Sequence, residues 1–228
     1  MIELSIVIPA YREEENLRLL LPRLKAVLDE TKLAFEILVV DTQTPLDNSK
    51  EVCEVEQLRY VPRENANDYA DAVRTGISRA LGTYILFMDA DGSHTPEYIP
   101  KLLQYRQQFD VVSASRYVSG GDTENSFYLI LMSRIVNLAY SIVLGLNCKD
   151  VSNSFKLYRA SQLRELQLRC RNFDIIEEIL FKLTRKFKIK IKEVPFTFKK
   201  RMFGDSKRNL VVFMMTYLYT LLRLRFGR

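Results

Sequence analysis

The chain has 228 residues, 47% of them hydrophobic and 27% charged, with a net charge of +6. This composition fits one globular domain and excludes a disordered or low-complexity protein. The three cysteines, at positions 53, 148 and 170, are too far apart for a zinc knuckle, argue against a disulfide framework and favour a reducing compartment.

Apolar runs rich in β-branched residues alternate with helical patterns in the first half of the chain. Strands are predicted at Leu4–Pro9, Phe35–Val40, Gln57–Val61, Thr83–Met88 and Asp110–Ala114. Helices are predicted at Glu14–Asp29, with a kink or a restart at Pro22, and at Leu46–Val55, Asp68–Leu81 and Pro96–Gln107. Strands that are apolar on both faces and separated by helices indicate an α/β fold, with a Rossmann-like, mostly parallel sheet covered by helices on both faces.

The second half is less regular. The predicted elements are an apolar helix at Phe127–Leu146, a strand at Ser154–Tyr158, an amphipathic helix at Asp174–Phe187, a strand at Ile189–Phe198 and an apolar helix at Leu210–Leu222. We expect neither apolar helix to span a membrane. The last is shorter than the roughly 20 residues that a span needs, and Arg134 and Asn137 interrupt the first.

Candidate site residues stand where the predicted strands end. They are Pro9, Ala10, Tyr11 and Glu13 after the first strand, Asp41 after the second, Asp89 and Asp91 after the fourth, and Ser115 and Arg116 after the fifth. Ligands of such sheets bind at the carboxyl ends of the strands. The acids and the arginine should therefore form one site.

The pair Asp89 and Asp91 places two carboxylates in one turn. Mg²⁺ is commonly held by one or two carboxylates together with substrate phosphates, so a metal–diphosphate site is predicted. One alternative makes Asp91 a helix N-cap and Asp89 a turn former. Another is a haloacid-dehalogenase-like phosphatase, whose D-x-D-G-[ST] pattern DADGS fits. It is disfavoured because the motif closes the fourth strand and no acidic pair follows at a sheet end.

Six motifs then occur in order along the chain. They are PAYREEENL (9–17), ILVVD (37–41), MDADGSHTPEYIPKL (88–102), SRYVSGG (115–121), DVSNSFKLYR (150–159) and EVPFTFKKRMFGDSK (193–207). Together they resemble an inverting GT-A glycosyltransferase of family 2, within it the dolichyl-phosphate mannose synthase group and its polyprenyl-phosphate sugar transferase relatives. The resemblance implies a GT-A catalytic domain at residues 1–207, followed by an apolar helix at 208–228.

The resemblance also implies roles for the matching residues. The residues expected at the nucleotide-sugar are Pro9, Ala10, Tyr11, Glu13, Asp41, Asp89, Ala90, Asp91, Ser93, Arg116, Arg201 and Lys207. Among them Asp41 would meet the base or ribose. Asp91 and Asp89 would hold Mg²⁺ or Mn²⁺ and, with Arg116, would be catalytic. Arg116, Arg201 and Lys207 would contact phosphates, for which arginine offers a bidentate grip and lysine a point charge.

The implied reaction moves a sugar, in the first place mannose from GDP-mannose, to a dolichyl or polyprenyl phosphate. A phosphate monoester is already an anionic nucleophile at neutral pH, so no strong general base is required. His94 is therefore predicted to be structural. For Glu177 and Glu178 the simpler prediction is a helix that exposes both acids, and the alternative is that they face the acceptor. The alternatives are UDP-glucose or another donor, a non-lipid acceptor, and a transferase-like scaffold without activity.

The charge is distributed unevenly. Residues 181–228 hold fourteen Lys and Arg against two acids, which leaves a net charge of −6 for residues 1–180. The apolar stretch 210–222 with its basic flanks predicts either a helix in an anionic membrane interface or a helix packed on the sheet or on a second copy. The N-terminus reads as a strand and not as a signal peptide. We therefore expect a cytoplasmic protein peripheral to the membrane, with a homo-oligomer or a small membrane subunit left open and no nucleic-acid partner.

Overall fold

The structure, a computed structural model, describes residues 1–203 and 210–227, the latter with side chains from Met215 onward. Lys207 and the predicted domain boundary beside it lie outside the described residues. The strands are β1 (Leu4–Pro9), β2 (Phe35–Asp41), β3 (Arg59–Pro62), β4 (Tyr84–Phe87), β5 (Val111–Ser115), β6 (Asp122–Thr123), β7 (Lys156–Arg159), β8 (Ile191–Pro195) and β9 (Thr197–Phe198).

Seven of these strands form one sheet in the order β3–β2–β1–β4–β7–β5–β8. Strand β7 runs antiparallel to both of its neighbours, and the other pairs are parallel. Strands β6 and β9 pair separately as a short parallel ribbon. The predicted mostly parallel sheet is confirmed, and its parallel strands end at one edge.

The helices are α1 (Glu14–Glu30), α2 (Ser49–Val55), α3 (Tyr69–Arg79), α4 (Ile99–Leu103), α5 (Phe127–Leu144), α6 (Ala160–Arg164), α7 (Ile175–Phe187) and α8 (Leu210–Phe226), with a 3₁₀ turn at Pro96–Tyr98 before α4. Helix α1 does not restart at Pro22, because it is continuous through this residue. Leu20, Leu21 and Leu24 are buried around this proline, and their burial offsets one lost backbone hydrogen bond. The helix predicted over 96–107 is shorter and starts as the 3₁₀ turn.

Alternate side chains of each strand point to opposite sides of the sheet. Because apolar side chains lie on both sides, helices cover both faces. In β1, Ile6 and Ile8 belong to the apolar cluster that includes α1, α2 and α4. Val7 belongs to the cluster on the other side, which includes α3, α5, α6, α7 and α8. All of β1 is buried, so this strand lies at the centre of the domain and positions the residues that follow Pro9.

Helices α5 and α8 pack on each other and leave an exposed apolar face. Its side chains are Phe127, Tyr128, Leu129, Leu131, Ile135, Leu138, Ile142 and Val143 on α5, with Met215, Leu218, Tyr219, Leu222 and Phe226 on α8. On the inner side, the Tyr140 hydroxyl donates to the backbone oxygen of Tyr217 at 2.6 Å. Tyr140 and Tyr217 both belong to the buried apolar cluster on this side of the sheet, so the helix pair packs on the domain on one side and is exposed on the other.

Helix α5 is long and apolar enough to cross a membrane, with a mean hydropathy of 1.7 and 22% of it buried. The sequence analysis excluded a membrane span here because of two polar residues, and this argument is wrong, since the helix passes by length and composition. Arg134 and Asn137 do not make the helix too polar. Asn137 and Tyr140 are instead buried against the domain, at 2% and 1% exposure, which places one side of the helix on protein.

Helix α7 does not expose its two acids, which corrects the sequence-based expectation. Glu177 and Glu178 are 0% and 1% exposed. Burial raises the pKa of Glu177 to about 8. Burial also opposes ionisation of Glu178, but hydrogen bonds from Lys182 and from two backbone N–H groups hold its pKa below the usual value. On α8, Arg223 lies 3.7 Å from Glu178, so the packing of α8 on α7 adds to the burial of this acid.

Candidate active site

The turn after β4 presents the two aspartates at the edge of the sheet. Asp91 Oδ1 accepts hydrogen bonds from the Ser93 backbone N at 3.0 Å and from Ser93 Oγ at 2.6 Å. Asp91 thus closes this turn and does not cap a helix. Gly92 has φ +80°, and a Cβ there would lie 2.6 Å from the Met202 side chain, so the turn requires glycine. Asp89 and Asp91 keep side-chain exposures of 20% and 18%, enough to meet a ligand.

Arg201 links the turn to the end of β1. Its Nη2 lies 3.1 Å from Glu13 Oε1 and 3.3 Å from Asp91 Oδ2. Asn16 donates to the other Glu13 oxygen at 2.6 Å. A cleft of about 300 Å³ opens beside these groups and is lined in part by Glu13, Asn16, Asp47 and Arg201. Three predicted site residues from distant parts of the chain therefore meet here.

Asp41 ends β2 and is 1% exposed. Burial raises its pKa, although the Thr42 backbone N–H, at 2.7 Å, and the Tyr60 hydroxyl, at 3.3 Å, bond its carboxylate. Arg63, which follows β3, was not predicted as a site residue. It is buried and donates to the backbone oxygens of Ala10 and Asn67, which ties the ends of β1 and β3 together. The available signal is a basic residue two positions after the predicted strand Gln57–Val61.

Arg116 follows β5 and is held by a buried acid that was not predicted as a site residue. Its Nε and backbone N each donate to Asp150 Oδ2 at 2.8 Å, and its Nη2 donates to Asp150 Oδ1 at 2.6 Å. The side chains of Arg116 and Asp150 are 9% and 0% exposed. Burial alone would raise the pKa of Asp150, but the charge and hydrogen bonds of Arg116 hold it below its usual value.

Glu193 on β8 bonds the residues next to this ion pair and holds its backbone in place. Its Oε1 accepts from Ser115 Oγ at 2.7 Å and from the Asp150 backbone N at 2.9 Å. On the outer side, the guanidinium groups of Arg116 and Arg134 lie 5.0 and 5.6 Å from the centre of the Tyr117 ring. Arg134, read in the sequence only as an interruption of an apolar helix, therefore adds a second cation beside Arg116.

His94 lies under the aspartate turn. It is 0% exposed and stacks on Phe155, with ring centres 4.7 Å apart. Its Nδ1 accepts from the Asp89 backbone N at 3.0 Å, and its Nε2 lies 3.1 Å from Asn153 Oδ1. Burial lowers the pKa of His94, which favours the neutral ring that these two contacts require. The contacts agree with the predicted structural role.

The donor set of the edge suits a hard divalent cation. Among residues 1–203 and the described side chains of α8, no three His, Cys, Asp or Glu side chains form a cluster able to hold a metal. Asp89 and Asp91 nevertheless supply two partly exposed carboxylates in one turn. Mg²⁺ and similar ions commonly complete such a pair with water and substrate phosphates.

The sequence that forms this site matches a known protein family. The sequence model described as "Glycosyl transferase family 2" matches residues 5–167, which include the ends of β1, β2, β4 and β5. The chain belongs to glycosyl transferase family 2. The resemblance seen in its motifs is therefore confirmed at the level of the family.

Two curated relatives cover most of the chain. It is 35% identical over 212 residues to a dolichol-phosphate mannosyltransferase of Pyrococcus furiosus, covering 90% of this chain and 59% of that protein. It is 33% identical over 214 residues to an undecaprenyl-phosphate mannosyltransferase of Micrococcus luteus, covering 88% of this chain and 85% of that protein. The chain thus spans less than two thirds of the first relative and most of the second.

A solved structure confirms the GT-A fold. Glucosyl-3-phosphoglycerate synthase of Mycobacterium tuberculosis, in complex with Mn²⁺, UDP and glucosyl-3-phosphoglycerate, superposes with a TM-score of 0.76. The match covers 98% of this chain and 80% of that chain at 15% sequence identity. At this identity the likeness concerns the fold, and the Mn²⁺ and UDP belong to that enzyme.

Proposed function

We propose that this glycosyltransferase moves mannose from GDP-mannose to a polyprenyl or dolichyl phosphate, with inversion at the sugar carbon. The observation that carries this proposal is the similarity, along most of both chains, to an undecaprenyl-phosphate mannosyltransferase. The site adds a reason from its chemistry. Carboxylates and arginines lie together at one edge of the sheet, as a reaction between two phosphate-bearing substrates requires.

On the donor side, we place the nucleoside against the ends of β1 and β2. Pro9, Ala10 and Tyr11 would line it, and Asp41 would meet the base or ribose. Ala90, which is 4% exposed between the two aspartates, would lie against the nucleotide beside the turn. Glu13 would act from the rim of the same pocket through its contact with Arg201.

The diphosphate would be bound by Arg201 and Lys207 directly and by Asp89 and Asp91 through a metal ion. Ser93 holds Asp91 in place. Asp91 and Asp89 would hold Mg²⁺ or Mn²⁺, which neutralises negative charge on a leaving diphosphate. Arg201 already lies 3.3 Å from Asp91 Oδ2, so it can exchange this carboxylate for a phosphate oxygen with little movement.

Arg116 is assigned to the phosphate of the acceptor. It uses Nε and Nη2 on Asp150 and Ser152. Within the part of the chain that the structure describes, its Nη1 has no hydrogen-bond acceptor, so this group can donate to a phosphate oxygen. An acceptor oxygen would attack the sugar carbon opposite the diphosphate. The new C–O bond forms as the bond to the diphosphate breaks, and the nucleoside diphosphate leaves with that electron pair.

The test is a transfer assay with a short polyprenyl phosphate in detergent. GDP-mannose, UDP-glucose and UDP-N-acetylglucosamine would be supplied in turn, with Mn²⁺, Mg²⁺ or EDTA. We expect mannosyl lipid only with GDP-mannose and a metal. Turnover with a UDP-sugar would contradict GDP-mannose as the donor. Transfer only to a non-lipid acceptor would contradict the lipid phosphate as the acceptor. No turnover with any pair would favour the scaffold alternative.

We further propose that the exposed apolar face of α5 and α8 lies in the membrane interface, which would place the protein at the cytoplasmic side as a peripheral enzyme. Arg223 and Arg225 stand in the last turn of α8, and Arg134 stands on α5 beside the site. Apolar surface flanked by cations suits an anionic lipid surface, and a lipid-linked acceptor has to be met there.

Vesicle flotation measures this contact. We expect the protein to float with phosphatidylglycerol-containing vesicles and less so at high salt. Leu138→Glu with Leu218→Glu should lower the partition coefficient at least about tenfold, since two apolar contacts are lost and two anions added. Leu19→Glu is the matched control, because Leu19 is 55% exposed on α1, on the other side of the sheet. Equal binding by all three proteins, or a dimer that the double variant dissociates, would contradict the membrane assignment.

A further inference from the structure

One buried asparagine joins α5 to the loop that carries Asp150. Asn137 Oδ1 accepts from the Ser152 backbone N at 2.9 Å, and Asn137 Nδ2 donates to Ser152 Oγ at 3.0 Å. Nδ2 also lies 2.8 Å from the backbone oxygen of Ser133, one turn earlier in α5. Because the two contacts with Ser152 have opposite sense, they set both the position of its backbone and the place of its hydroxyl.

Ser152 passes this constraint on to Arg116. Arg116 Nη2 donates to Ser152 Oγ at 3.0 Å and to Asp150 Oδ1 at 2.6 Å. A guanidinium is planar, so bonds from Nε and from Nη2 to two different residues fix its plane. The direction of Nη1 is then fixed as well.

We propose that Asn137 is a positioning residue for sugar transfer, which acts through Ser152 to aim Arg116 at the acceptor phosphate. This inference rests on the proposed function of the site. Asn137 is 2% exposed and touches no substrate, so its effect has to pass through its neighbours. An asparagine in an otherwise apolar helix is thereby explained, since its Nδ2 contacts Ser133 and Ser152 and its Oδ1 accepts from the Ser152 backbone N.

Two variants test the link by steady-state kinetics. Asn137→Leu keeps the approximate size of the side chain and removes both contacts with Ser152. Ser152→Ala removes the hydroxyl alone. We expect each to lower kcat about tenfold, as the loss of a buried hydrogen bond in the transition state would, with the KM for the nucleotide-sugar within about twofold of wild type. Ser152→Thr should recover most of what Ser152→Ala loses. Asn147→Leu is the matched control, because Asn147 is exposed after the same helix.

A double-variant comparison separates positioning from a general loss of structure. In an Arg116→Lys background the Nη2 donor is gone, so adding Asn137→Leu should lower kcat less than about twofold further. If Asn137→Leu still lowers kcat about tenfold in the Arg116→Lys background, the two effects are independent and the inference is overturned. If Asn137→Leu does not fold, Ser152→Ala enters the same comparison in its place.

An NMR measurement keeps this inference distinct from the proposed function. The Arg116 Nε–H signal should be visible in the wild-type protein, since this group bonds Asp150 Oδ2 at 2.8 Å. We expect Asn137→Leu to shift or broaden it and Asn147→Leu to leave it unchanged. If Asn137→Leu shifts the Arg116 signal but the wild-type protein shows no transfer activity, the positioning of Arg116 is supported and only the proposed function is contradicted. An unchanged signal together with unchanged kcat would overturn the positioning alone.

Discussion

Asp91→Asn is expected to abolish metal-dependent nucleotide binding and to lower turnover on the order of 10²–10³-fold. Asparagine keeps the size of the side chain and can still accept from Ser93, which bonds Asp91 Oδ1 at 2.6 and 3.0 Å. The fold of the turn should therefore survive while one anionic ligand of the proposed metal is lost. The predicted size of the effect is that of removing one preorganised electrostatic group from a reaction centre.

Thermal shift with GDP and UDP, with and without Mn²⁺, measures the binding half of this prediction. A bound ligand raises the melting temperature by mass action, so the wild-type protein should show a metal-dependent shift with one nucleotide. Asp29→Asn is the control, because Asp29 is exposed at the end of α1. An Asp91→Asn protein that keeps the full metal-dependent shift would remove Asp91 from the metal site.

Asp150→Asn should cost the largest amount of stability, about 3–5 kcal/mol in the free energy of unfolding. It leaves the guanidinium of Arg116 buried without its counter-charge, and an unpaired buried charge is strongly destabilising. Asp150→Asn with Arg116→Gln should recover part of this loss because no charge is then left unpaired. Urea unfolding at constant pH measures all three proteins.

The pH dependence of this pair has a definite sign. Arg116 holds the pKa of Asp150 below its ordinary value of 3.8, so the contribution of the pair is complete above that pH. It is lost only as the pH falls through the lower pKa of the folded protein. The deficit of Asp150→Asn should therefore be constant between pH 6 and 9.

A surface pair provides the comparison. Asp110→Asn breaks the contact of Asp110 with Arg159, which are 26% and 33% exposed and 3.2 Å apart. We expect this change to cost less than about 1 kcal/mol, because water screens the pair. A similar cost for Asp150→Asn would mean that the buried pair does not stabilise the loop.

Much of the fold could be predicted because its signals are local. The run at Leu4–Pro9 is apolar on both faces, which only a central strand of a covered sheet accommodates. Asp41 and Asp89 follow such runs directly, so parallel pairing carries both to one edge. The sequence by itself therefore determined the sheet, the edge that holds the site and the family.

Only the tertiary structure decided which side chains pair. Arg116 and Asp150 are thirty-four positions apart, and nothing local to either residue reports that they share a buried bidentate contact. Glu177 and Glu178 read as an exposed pair because the 3.6-residue period locates the apolar stripe of α7 but not the partners that also cover its other side. In this protein α8 covers it, with Arg223 lying 3.7 Å from Glu178. Periodicity is a property of neighbours in the chain, whereas burial and ion pairing depend on contacts between distant elements, which form only when the whole domain packs.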